Sequence, residues 1–139
     1  MAGNKTFTMI KPSAVEAQYT GKIISIILEN GFKIRALKLI HLSSELASGF
    51  YAEHKGKPFF DSLVEFMSSG PIVAAILEKE NAVEEYRALI GPTNPAQAPE
   101  GSIRKLFGKS VQENAVHGSD SDASADRECN YFFSALERY

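Results

Sequence analysis

The stretch that most constrains the fold is Ile72-Val73-Ala74-Ala75-Ile76-Leu77, six apolar residues in a row directly after Gly70-Pro71. A run with no polar residue has no face to offer water, so a strand made from it is buried on both sides. It also falls far short of the roughly 20 residues that cross a bilayer. Lys5 to Ile10 alternates polar and apolar residues up to Lys11-Pro12 and reads as a first strand. From Gly21 to Asn30, Ile23/Ile27 and Ile24/Leu28 pair at four-residue spacing, the stripe of a helix that Gly31 stops. Phe32, Ile34 and Ala36 alternate with Lys33 and Arg35 before Leu37 and Leu39 change phase, which predicts a strand bulged near Ala36.

Ser43 or Ser44 can cap a helix carrying Leu46, Phe50 and Tyr51, and a second helix covers Phe59 to Ser68. Asn81, with Glu84 three residues on, opens a helix bearing Val83, Tyr86 and Ile90 that Gly91-Pro92 ends. A long connection with Pro92, Pro95, Pro99 and Gly101 follows, interrupted by a short helix from Ser102 to Phe107; such connections often carry function. A small helix after His117-Gly118-Ser119-Asp120 is capped by Ser121 or Asp122, and the aromatic Cys129 to Phe133 reads as the last strand. The order β-α-β-(αα)-β-α-(loop)-β predicts an α+β class: a ferredoxin-like βαββαβ sandwich, its four-stranded antiparallel sheet covered by helices. The 139 residues make one domain, 1–139.

Charge excludes some functions. Fifteen Lys and Arg against 17 Asp and Glu leave −2, no global cationic field for coating nucleic acid, although a local anion pocket remains open. One cysteine, Cys129, makes neither an internal disulfide nor a cysteine zinc site and suits a reducing compartment. Met1-Ala2-Gly3-Asn4-Lys5-Thr6 is polar and lacks the apolar run of a secretory signal, so the expected location is cytoplasmic, without membrane attachment.

Leu106-Phe107-Gly108-Lys109-Ser110 ends like a P-loop, but six residues separate Gly101 from Gly108 where the motif needs four, and a helix stands where a strand is required. His41, His54 and His117 are too scattered to suggest a metal site. The informative segment is Asn114-Ala115-Val116-His117-Gly118-Ser119-Asp120-Ser121, which places a histidine on irregular backbone beside small polar residues. A largely neutral imidazole held this way is a candidate nucleophile. Arg87, Arg104, Thr93 and Lys11 are candidates to converge on one anion, with the arginines offering forked donors to phosphate.

That histidine segment closely resembles the active-site signature of nucleoside diphosphate kinases. In register with it stand Thr8-Met9-Ile10-Lys11-Pro12, Phe50-Tyr51-Ala52-Glu53-His54, Lys57-Pro58-Phe59-Phe60, Ser69-Gly70-Pro71, Gly91-Pro92-Thr93-Asn94-Pro95-Ala96 and Gly101-Ser102-Ile103-Arg104. The resemblance covers about the whole chain. It implies transfer of the γ-phosphate of a nucleoside triphosphate, mainly ATP, to nucleoside diphosphates by a ping-pong route through a phosphohistidine at His117, with broad base and sugar specificity.

The resemblance further implies that Nδ1 of His117 attacks while Glu128 and Ser119 orient the ring, with Tyr51 beside it. Lys11, Arg87, Thr93 and Arg104 would hold phosphates, Lys11 and Asn114 would also reach the sugar, and Phe59, Leu63 and Val111 would form the base slot. Mg²⁺ would arrive on the nucleotide, held by phosphates and water with no protein ligands of its own. A homo-oligomer, a dimer-based tetramer or hexamer, is the form implied. Two positions depart from the family pattern: Ser13 stands where aspartate is common, and the chain has no tryptophan. A nucleic-acid-binding role on the same fold finds no aromatic RNP-like stretch on a central strand.

Overall fold

The computed structural model describes residues 3–139; the opening Met1-Ala2 of the polar N-terminal stretch lies outside the described residues. Strands β1 (Lys5–Ile10), β2 (Lys33–Ile40), β3 (Ile72–Glu78) and β4 (Val116–Gly118) form one sheet in the order β2-β3-β1-β4, with every neighbouring pair antiparallel. This is the expected ferredoxin-like sheet. The apolar run lies within β3, where Ile72 to Leu77 are all buried. The register of β2 on β3 shifts between Ile34 and Ala36, where the change of phase predicts a bulge.

Helices cover both faces. Helices α1 (Pro12–Glu16), α2 (Thr20–Glu29), α5 (Ala82–Ile90) and α6 (Ile103–Phe107) bury Ala14, Ile23, Ile27, Tyr86, Ile90 and Ile103 against Ile10, Val73, Ala75 and Val116. On the other face, α3 (Ser44–Phe50), α4 (Phe60–Met67) and α7 (Asp122–Phe132) bury Ala47, Phe60, Val64, Met67, Cys129 and Phe132 against Phe7, Met9, Ala74 and Ile76. Among the described residues no helix is long and apolar enough to cross a membrane.

Four local readings need correction. Cys129 to Phe133 is not the last strand: through Phe132 it is the end of α7, and Phe133 is that helix's C-cap. Ala125, Cys129 and Phe132 lie one helical turn apart on the buried face, Ser121 caps the start by accepting from the Ser124 amide, and Asp122 suits the positive end of the helix. The aromatic content of residues 131–133 masked that period. The fourth strand is instead the three-residue segment bearing His117, so the histidine sits on a sheet edge rather than on irregular backbone. Pro12 does not simply end β1; it occupies the first turn of α1, where its missing N–H costs nothing. Asn81 precedes α5 in a left-handed conformation (φ 56°), and its side chain bonds Glu84 rather than capping the backbone.

Candidate active site

Local chain signals bring separate elements to one cavity of about 810 Å³ at the ends of β1 and β4. Lys11 follows β1, and its amide donates to the Ala115 carbonyl (2.8 Å), so the start of β4 is tied to the end of β1. The cavity wall includes Lys11, Tyr51, Phe59, Leu63, Arg87, Thr93, Arg104, Val111, Asn114 and His117. Of the residues expected at the site, only Ser119 and Glu128 are outside that wall; both are buried behind the histidine.

The His117 ring is fixed through one nitrogen. Nε2 lies 2.9 Å from Glu128 Oε1, and that same oxygen accepts from Ser119 Oγ at 2.7 Å. A carboxylate only accepts, so Nε2 carries the ring proton and the lone pair resides on Nδ1. Phe50 meets the ring edge-to-face at 5.5 Å, and Phe7 lies 6.0 Å away. Glu128 reaches the ring from α7, whose cap and buried stripe set that helix against β1, the strand beside β4.

Positive charge is crowded opposite. Burial and the nearby Arg104 push Lys11 down to about 7 from the ordinary 10.5. Burial likewise lowers Arg104 to about 10, with Tyr86 raising it and Arg87 adding to the fall. Lys11 Nζ donates to Asn114 Oδ1 (2.8 Å), and Asn114 Nδ2 donates to the Thr93 carbonyl (3.0 Å). Arg104 donates to the Gly91 and Val116 carbonyls at 3.0 and 2.9 Å, while its buried Nε has no protein partner. Cations held together with spare donors gain from an anion that neutralises them. The Tyr51 hydroxyl is also buried without a protein partner, and burial together with Glu128 raises it above the usual phenol range.

The cavity mouth is apolar. Phe59 and Val111 are 46% and 55% exposed, an unusual state for such side chains. Gln112 closes the same rim by accepting from Ser62 of α4 (3.1 Å). A cavity with a cationic floor and apolar lips suits a phosphorylated ring compound.

A sequence model of nucleoside diphosphate kinase matches residues 4–138. The chain belongs to the nucleoside diphosphate kinase family. Nucleoside diphosphate kinase of Geobacter sp. (strain M21) is 56% identical over 133 residues, 96% of this chain and 97% of that one. The structure of Aquifex aeolicus nucleoside diphosphate kinase superposes with a TM-score of 0.96 at 45% identity, covering 98% of this chain and 99% of the other. That of Halobacterium salinarum nucleoside diphosphate kinase, in complex with CDP, gives 0.95 at 36% identity over 99% of this chain and 92% of the other. Nucleoside diphosphate kinase activity, phosphoryl transfer between nucleotides, is thus the function of the chain.

Several residues at this cavity were not assigned to a site from the sequence. Phe50 packs on the histidine ring, and its place next to Tyr51 was the available signal. His54 lines the cavity 5.3 Å from the Phe59 ring, whereas His41 bonds the Ser68 carbonyl elsewhere. Asp120 is on the wall, its carboxyl held below the usual range by hydrogen bonding to Ser124 and by Arg87. Arg127 lies 3.7 Å from Glu128 Oε2. Ser13, in the first turn of α1, does not line the cavity.

Proposed function

We propose that this chain works as a single domain over residues 1–139 and carries the γ-phosphoryl group on Nδ1 of His117. The supporting observation is the Glu128–Nε2 bond, which leaves Nδ1 as the nucleophile beside a cationic pocket. In the first half-reaction Nδ1 attacks the γ-phosphorus of ATP or another nucleoside triphosphate. The N–P bond forms, the bond from phosphorus to the β–γ bridging oxygen breaks, and the nucleoside diphosphate leaves with that electron pair. In the second, a β-phosphate oxygen of an incoming diphosphate takes the phosphoryl group and restores the imidazole. Throughout, Nε2 keeps its proton, and Glu128 and Ser119 stabilise the charge that develops on the ring.

Lys11, Arg87, Thr93 and Arg104 hold the phosphates, and Lys11 with Asn114 also meets the sugar hydroxyls. Tyr51 supplies a hydroxyl beside the transferred group. Phe59, Leu63 and Val111 take the base; stacking on a π-face is tolerant of base identity, which supports broad specificity.

Among the described residues no three His, Cys, Asp or Glu side chains cluster as a metal cage, and Asp120 is the one carboxylate on the cavity wall. That donor set fits Mg²⁺ held chiefly by nucleotide phosphates and water. When bound, the ion neutralises phosphate charge. A homo-oligomer, tetramer or hexamer built from dimers, is supported by β2, which has one neighbour in the sheet and exposes Leu37 and Leu39. The single buried cysteine, Cys129, fits a cytoplasmic setting.

The test is incubation with γ-labelled ATP and Mg²⁺ followed by quenching. An acid-labile label on His117 that ADP or another diphosphate removes is the expected result, with His117→Ala folded but unlabelled. Turnover by His117→Ala, or label on another residue, would overturn the assignment.

A further inference from the structure

We propose that Thr8 and Tyr86 are positioning residues for the phosphate-accepting histidine, joined in a buried hydroxyl chain that fixes the His117 backbone from beneath. The inference rests on the reading of His117 as acceptor given above. Neither residue lines the nucleotide cavity or enters the mechanism as described.

Hydrogen counting sets the direction of the chain. Thr8 Oγ1 donates to the His117 carbonyl at 2.8 Å and lies 2.6 Å from the Tyr86 hydroxyl. Threonine has one hydroxyl hydrogen, and the carbonyl has none to give, so Tyr86 donates to Thr8 and Thr8 to His117. Both side chains belong to buried residues, Tyr86 at 0% and Thr8 at 2% exposure. Burial raises the Tyr86 phenol above its usual range despite the opposing Thr8 bond and Arg104, so the hydroxyl remains a donor.

The Tyr86 ring adds a second hold. A Cβ at Gly118 would fall 3.1 Å from Tyr86 Cδ2 and 3.0 Å from Ile90 Cδ1, so the missing side chain is what lets the ring seat against the backbone next to the histidine. Phe32 backs the ring edge-on at 5.5 Å. On the opposite side, Arg104 donates to the Val116 carbonyl. Successive carbonyls of a strand point to opposite edges, so β4 is gripped from both sides at adjacent residues.

The grip matters because β4 is three residues long and pairs only with β1. Its ladder is continued by the Lys11 amide on the Ala115 carbonyl and the Ser119 amide on the Phe7 carbonyl, but all of these bonds lie on the β1 side, and among the described residues no strand backs the other edge. Glu128 and Phe50 hold the ring from one face of the sheet, and Tyr86 holds the backbone from the other. Displacing the backbone would move Nδ1 off its line to the γ-phosphorus, a geometric loss to which in-line transfer is sensitive.

The test measures single-turnover phosphoenzyme formation from γ-labelled ATP and Mg²⁺, nucleotide KM and Tm for the full chain and four variants. Thr8→Val, nearly isosteric, should slow labelling by roughly five-fold or more with KM unchanged, and Thr8→Ser should restore the rate. Thr8→Val also leaves the Tyr86 hydroxyl buried without its acceptor, which lowers Tm; adding Tyr86→Phe removes that orphan. The double variant should therefore recover Tm while staying slow, and Tyr86→Phe alone should be slowed less than Thr8→Val. A wild-type labelling rate in Thr8→Val, a rate that recovers together with Tm, or a loss confined to KM would overturn the proposal while His117 still takes label. Absence of label on His117 in the unmodified chain would instead overturn the acceptor reading, and this inference with it.

Discussion

At the scale of single residues, the cavity is built asymmetrically around one imidazole. Glu128, itself held by Ser119, occupies one nitrogen and leaves the other without a protein partner. Glu128→Gln replaces a charged acceptor with a neutral amide, so phosphoenzyme formation should slow by about 10- to 100-fold while nucleotide KM changes little. Rapid-quench labelling checks this. Lys11 makes a pH prediction. Its folded value of about 7 is below the ordinary 10.5, so between those values the unfolded chain binds the extra proton and stability rises with pH. Below pH 7 both states are protonated, and the folded state bears the burial of the charge. The Tm of the nucleotide-free protein minus that of Lys11→Met should therefore increase from pH 7 to 9. Taking this difference also removes the opposite trend above pH 9 expected from Cys129, whose thiol burial raises to about 11. Bound phosphate favours protonated Lys11, so ADP binding at pH 8 should take up protons. Calorimetry in buffers of different ionisation enthalpy measures that uptake, which Lys11→Met should diminish.

At the scale of elements, helix ends and one tight turn place the arginines. Gly91 ends α5 at φ 86°, and its carbonyl accepts from Arg104. A Cβ there would lie 3.0 Å from Ser102 Oγ and 3.1 Å from Ala98 Cβ, in backbone that L side chains rarely adopt. Gly91→Ala should cost about 1–3 kcal/mol and raise nucleotide KM by shifting Arg104; a denaturant titration and steady-state kinetics test the two parts. The cap of α3 was legible in the sequence as Ser43 or Ser44, and Ser43 accepts from the Leu46 amide; Ser102, read as the first residue of the short helix, is its cap instead and accepts from the Lys105 amide. The start of helix α7 was legible too, with Ser121 as a candidate cap, but its second half was not, because Tyr131, Phe132 and Phe133 suit a strand until the buried Ala125–Cys129–Phe132 stripe is weighed with that cap. The strand at β4 was missed for the complementary reason. Three residues are too few to show a period, and only pairing with β1 makes them a strand.

At the scale of the whole molecule, two apolar cores lie on either side of one sheet, and the site opens where β1 ends and β4 begins. Edge strand β2 leaves Leu39 68% exposed, and the Tyr139 amide covers only the Arg35 carbonyl along it. Leu39→Glu should shift the protein to smaller species in sedimentation velocity while leaving its secondary structure intact, as expected if this edge joins subunits. An unchanged sedimentation coefficient would rule this edge out as a subunit contact. Local pattern along the chain was enough for the buried third strand (an unbroken apolar run), the bulge near Ala36 (a change of phase) and the helix before it (a four-residue repeat), because burial leaves its mark on neighbouring residues. The histidine motif and its companions were likewise readable, since the resemblance rests on contiguous residues. Convergence was not: Lys11, Arg87, Arg104 and His117 come from four elements, and only folding decides whether their charges meet. The same is true of Thr8 and Tyr86, which are separated by 78 residues and share a hydrogen bond. Such contacts depend on sheet order and helix placement, which are properties of the packed chain and leave no trace in the local pattern of residues.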